Sequence, residues 1–151
     1  MRINRLGKFI LACSLASLLL LFGCSGTTLN LQPRQQSQNI VNGLITVQAG
    51  GYNYYIFNVD TSTMHNVTVT GSFQASGGSG NDIVVAILDS TGFTNFSNGH
   101  TVTTYYNSGQ MTVGSINASL TASGEYYLLY ENTFSILSSK NVTTSATLQW
   151  N

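Results

Sequence analysis

Hydrophobic and polar positions alternate with period two through most of the chain after Ile40. Val67, Val69, Gly71, Phe73 and Ala75 share one parity, and Thr68, Thr70, Ser72 and Gln74 share the other. Successive side chains of a strand point to opposite faces, so this run predicts a half-buried strand with one wet face. At the far end Val142, Thr144, Ala146, Leu148 and Trp150 alternate with Asn141, Thr143, Ser145, Thr147 and Gln149. Ile83–Leu88 and Tyr126–Tyr130 are continuously apolar and read as central strands covered on both faces. Further strands are expected at Leu44–Gln48, Tyr52–Val59, His100–Tyr106 and Gln110–Leu120. In the last of these the apolar parity changes between Val113 and Ile116, which predicts a bulge near Gly114.

Turn residues separate the runs: Ala49-Gly50-Gly51, Asp60 to Thr63, Ser76 to Asn81, Asp89 to Gly92, Asn107-Ser108-Gly109 and Ala122-Ser123-Gly124. About eight short strands with regular turns predict an all-β, antiparallel sandwich of jelly-roll-like kind over residues 39–151. No helical period is visible there beyond a single turn around Phe93–Asn98.

The N-terminal pattern is different. A predominantly apolar run from Phe9 to Phe22 follows Arg2, Arg5 and Lys8. It falls short of the ~20 apolar residues that span a bilayer. A basic start, a short apolar stretch and a small residue before a cut site are the parts of a secretory signal. Leu21-Phe22-Gly23-Cys24 resembles a bacterial lipobox. The resemblance implies a signal peptide over 1–23, cleavage before Cys24 and acylation of that cysteine. It also implies a lipid bilayer as partner and a cell-envelope location. Ser25 stands where the resemblance would place an inner-membrane retention Asp, so an outer membrane, where there is one, is the expected home. Residues 24–38 carry the sole proline, Pro33, and no sustained apolar period, and they read as a flexible tether.

Charge and cysteine content narrow the function. The formal net charge is zero, but three of the five cations lie in the leader. From Cys24 onward, Arg34 and Lys140 face Asp60, Asp82, Asp89, Glu125 and Glu131, a net of −3. That balance excludes the clustered basic surface nucleic acid requires. The two cysteines are Cys13, inside the leader, and Cys24. Neither a disulfide nor a thiolate metal site can be built from what remains.

Three ordered blocks resemble the GOLD (Golgi dynamics) domain, a β-sandwich of secretory cargo receptors. They are Val67-Thr68-Val69 through Phe73; Gly77-Gly78 with Asn81-Asp82-Ile83 up to Asp89; and Gly124-Glu125-Tyr126-Tyr127 with Asn132-Thr133-Phe134-Ser135, Lys140 and Val142. The similarity covers roughly Val67 to Trp150. It implies the sandwich fold and a general binding role with no catalytic residues. The receptors' cysteine pair, coiled coil and transmembrane helix have no counterpart in these residues.

Candidate chemistry is thin. His65 and His100 each start an expected strand without an orienting partner nearby, so no catalytic residue is assigned. Gly77-Gly78-Ser79-Gly80 lacks the closing glycine of a nucleophile elbow, because residue 81 is Asn. Five dispersed acids are few for calcium, which takes six to eight oxygens, so neither metal nor cofactor is expected. Exposed aromatics are strong binding anchors, and Phe93 and Phe96 sit in a Ser/Thr/Asn/Gly segment. With Asn81 and Asp82 of the glycine-rich turn they form the candidate binding set. Trp150 falls on the apolar parity and is expected in the core. The reading is a membrane-anchored, non-enzymatic binding module for a protein or another envelope component. The alternative is a carbohydrate-binding or hydrolytic envelope accessory.

Overall fold

The computed structural model describes residues 32–78 and 80–151. The expected signal peptide, Cys24 and most of the expected tether lie outside them. The elements are β1 (Gln36–Val47), β2 (Tyr52–Val59), β3 (Thr68–Ser76), β4 (Ile83–Asp89), α1 (Ser90–Ser97), β5 (Tyr106–Met111), β6 (Val113–Ser119), β7 (Gly124–Glu131) and β8 (Lys140–Trp150). Two four-stranded sheets run β1-β8-β3-β6 and β2-β7-β4-β5, with every pair antiparallel. The pairs β1–β8, β2–β7, β3–β6 and β4–β5 nest like one long hairpin wrapped on itself. Joining β8 to β3 and β7 to β4 then makes the two layers of a jelly roll. All-β architecture therefore follows from the period-two pattern.

Parity decides which side chains fill the space between the layers. Val69, Phe73 and Ala75 of β3, Val142, Ala146 and Leu148 of β8, and Tyr126, Leu128 and Tyr130 of β7 are all buried in one cluster. Thr144 is also inward and buried; its hydroxyl lies 2.7 Å from that of Tyr130 and donates to Ser72 O at 2.9 Å. A polar pair between sheets is tolerated because both hydroxyls are satisfied. β4 and β7 are covered on both faces, as their unbroken apolar runs predict. Ala86, Leu88 and Leu129 are buried on the outer side beneath the rings of α1.

Five expectations need correction. A two-turn helix occupies Ser90–Ser97, where only a single turn was expected. Residues 100–105 are irregular, and the strand there begins at Tyr106. Asn107-Ser108-Gly109 is a bulge inside β5 rather than a turn between strands. Two residues, Ser108 and Gly109, stand opposite Val85 alone, and the Ser108 hydroxyl accepts from Val85 N at 2.9 Å. Residues 110–120 are not one bulged strand: the chain leaves one sheet after Met111 and enters the other at Val113. Inside β6 parity is constant, with Gly114, Ile116 and Ala118 inward, and Val113 is simply exposed. Gly114 is needed because the Phe73 ring fills the space a Cβ would take. Pairing of β1 begins at Gln36 opposite Trp150, three residues ahead of residue 39.

Candidate functional site

The helix α1 is built from weak helix formers and depends on its cap and its anchor. Asp89 ends β4 in an extended conformation, and its carboxylate accepts from Gly92 N at 2.7 Å. This satisfies one of the first-turn amides that have no partner inside the helix. Phe93 and Phe96, three apart, then point to one side of the helix. They land on the outer face of the β2-β7-β4-β5 sheet, where Tyr127 of β7 and Tyr52 and Tyr54 of β2 meet them. The Phe93 ring stacks on Tyr127 at 4.0 Å and 4°. Phe93 lies 4.8 Å from Tyr54, and Phe96 lies 5.0 Å from Tyr52 edge-on.

Phe93 and Phe96 are half-buried and form the backing of this patch. Its exposed front is on the edge strand β2: Tyr52 is 37% exposed, Tyr54 45% and Ile56 49%. Alternation along the strand accounts for this, since Phe57 and Val59 face the core and Tyr52, Tyr54 and Ile56 face out. The tyrosine-rich run at 52–55 was visible in the sequence, but its contact with Phe93 and Phe96, some forty positions away, was not. Tyr127 and the two most exposed aliphatics, Ile136 and Leu137 in the β7–β8 loop, were not singled out.

Asn81 and Asp82 occupy another place, in the loop between β3 and β4. Asn81 takes φ 51°, which Asn tolerates, and its side chain accepts from Gly77 N at 2.9 Å. Asp82 accepts from the buried Lys140 ammonium at 3.1 Å. No ring contact or hydrogen bond among the described residues joins this pair to Phe93 or Phe96.

Next to it Asn132, fully buried, staples the β7–β8 loop. Its amide donates to Gln48 O at 3.0 Å and Ser138 O at 2.9 Å, leaving its Oδ1 without a hydrogen bond. Asp82, Asn132 and Lys140, which carry much of the family resemblance, thus all tie one end of the sandwich together.

The acids have local bonds. Asp60 accepts from the Ser62 hydroxyl at 2.6 Å and its amide at 3.0 Å, and these bonds hold its carboxyl below the usual range. Glu125 accepts from the Tyr127 hydroxyl, which raises that phenol, and Glu131 accepts from the Thr133 hydroxyl. Among the described residues no three His, Cys, Asp or Glu side chains come together to hold a metal ion. No helix of the described residues is long and apolar enough to cross a membrane. No protein-family model matches this chain, and no curated protein is similar enough to count as a relative.

Proposed function

We propose that this protein is a lipid-anchored, non-enzymatic binding module of a bacterial envelope, held at a bilayer through acylated Cys24. It captures a protein or another envelope component on the aromatic face of β2. The observation that carries this reading is the exposed row Tyr52, Tyr54 and Ile56 on an edge strand, backed by the rings of Phe93, Phe96 and Tyr127. Rings already ordered by their neighbours give up little rotamer freedom on contact, which favours them as anchors. The absence of catalysis is inferred from the acids, each of which is engaged in a local bond, cap or ion pair. Within the sandwich class a GOLD-like module is the closest reading. Its three blocks fall on β3, on β4 with its preceding loop, and on β7 and β8.

The test is an envelope crosslinking pull-down with Tyr52→Ala combined with Tyr54→Ala. The double variant should lose most of the captured species and keep its melting curve, because both rings are substantially exposed. Undiminished capture would remove the patch from the contact surface. Turnover of any polysaccharide or peptide, abolished by an Asp or His substitution, would overturn the non-enzymatic reading.

A further inference from the structure

Two open grooves meet at the end of the sandwich where β3 begins and β8 finishes. The larger, about 580 Å³, runs between the loops around residues 61–68 and 119–121 over Met64, Val67 and Leu120. The smaller, about 270 Å³, lies between Pro33 and Gln35 on one side and Gln149, Trp150 and Asn151 on the other. Asn66 and Thr68 line both, so together they form one cleft with Asn66 at its waist.

No Asp, Glu, Lys or Arg lines either groove. An anionic ligand would find no Lys or Arg side chain there, and desolvating it would go uncompensated. The polar groups on offer are amides, hydroxyls, the His65 ring and an indole. The side chains of Gln35, Thr68, Gln149 and Trp150 make no hydrogen bond within the described residues.

Asn66 Nδ2 donates to Asn151 Oδ1 at 2.9 Å. That bond leaves Asn66 Oδ1 to accept and Asn151 Nδ2 to donate, and flipping both amides only exchanges the roles. An acceptor and a donor on one bonded pair can serve a diol, in which each hydroxyl can both give and take a hydrogen bond. The pair is held in place: His65 N donates to Asn151 O at 2.8 Å and Asn151 N to His65 O at 2.9 Å. Asn66 itself sits at φ 51°, a conformation costly for most side chains.

Trp150 falls on the inward parity and packs in part against the core, but it is only half-buried and lines the smaller groove. The accessible part of an indole suits the apolar C–H surface of a pyranose ring. An extended peptide is disfavoured, because β8 is paired on both sides and offers no free backbone ladder.

We propose that this end cleft binds a neutral oligosaccharide, with Trp150 as the stacking platform and the Asn66–Asn151 pair as the diol clamp. The site is separate from the aromatic face of β2 and stands or falls independently of it. Trp150 is the sole tryptophan of the chain, so intrinsic fluorescence reports directly on the cleft.

The full chain in detergent is titrated with hexasaccharides of glucose, mannose and N-acetylglucosamine, with a Gly-Ser repeat peptide alongside. At least one hexasaccharide should shift Trp150 emission saturably below millimolar concentration. Asn66→Gly keeps the positive φ while removing the amide, and it should raise the half-saturation concentration roughly tenfold. Gln149→Ala should weaken binding with the melting curve unchanged, whereas Tyr52→Ala should have no effect. Absence of a saturable shift with all three sugars would overturn the proposal. So would equal affinity in Asn66→Gly and Gln149→Ala, or a response to the peptide alone.

Discussion

At the scale of single residues, Tyr126 shows how burial turns a common side chain into a pH-dependent strut. Its ring is buried between the sheets, and its hydroxyl donates to Ala122 O at 2.8 Å, closing the turn that precedes β7. Burial, helped by the neighbouring Tyr105 hydroxyl, pushes its phenol up to about 12. Burial also raises Tyr130. In the unfolded chain both phenols lose their protons near pH 10. Above that pH the unfolded state binds fewer protons than the folded one, so stability falls as pH rises. The linkage slope is up to about 1.4 kcal/mol per pH unit for each phenol. Urea melts from about pH 9 to about pH 11 should therefore show a steepening loss of stability, and Tyr126→Phe should flatten it. An identical slope in that variant would mean the phenol titrates normally in the fold. The continuous apolar run places Tyr126 and Tyr130 in a strand covered on both faces. Their partners, Ala122 and Thr144, are beyond reach of a pattern argument because each bond depends on a turn or a register.

At the scale of elements, the long alternating strands were legible, whereas the helix and the strand boundaries between residues 100 and 113 were not. Period-two alternation over nine or more residues, as in β3 and β8, fixes which side chains face the core. α1 has two turns, and Ser, Thr, Gly and Asn fill six of its eight positions. Its apolar content is Phe93 and Phe96, too few to establish a 3.6-residue period. The Met111–Val113 crossing was hidden for another reason. A switch between sheets and a bulge both disturb parity, and only the pairing partners tell them apart.

The helix should accordingly be fragile at its cap. Asp89→Ala removes the bond to Gly92 N and should cost about 1 kcal/mol. Hydrogen exchange should quicken at Gly92 and along residues 93–97, while the β3 and β8 amides keep their protection. Unaltered exchange at Gly92 would show that the rings alone hold the helix in place.

At the scale of the whole molecule, the two ends of the sandwich differ in kind. One end gathers Gly77, Gly80, Asn132, Ile136, Leu137 and the Asp82–Lys140 pair, and it is closed by side chains that satisfy loop backbone. The other end holds the cleft, lined by no Asp, Glu, Lys or Arg side chain, and is where the chain enters β1, with Gln36 paired to Trp150. Eleven residues lie between Cys24 and Gln36. Even fully extended they reach at most about 40 Å. An acyl anchor at Cys24 would therefore confine the binding faces to a layer close to one bilayer and raise their effective concentration there. A single acyl chain holds a protein only marginally, whereas two or three hold it firmly. Cys24→Ala should abolish metabolic labelling with a fatty acid and move the chain from the membrane fraction to the soluble one, or leave the leader uncleaved. The sandwich should melt as before, since Cys24 lies twelve positions ahead of the first paired residue. An unlabelled wild-type chain, recovered in the soluble fraction with its leader removed, would refute the anchor while leaving the two binding faces open to test in solution.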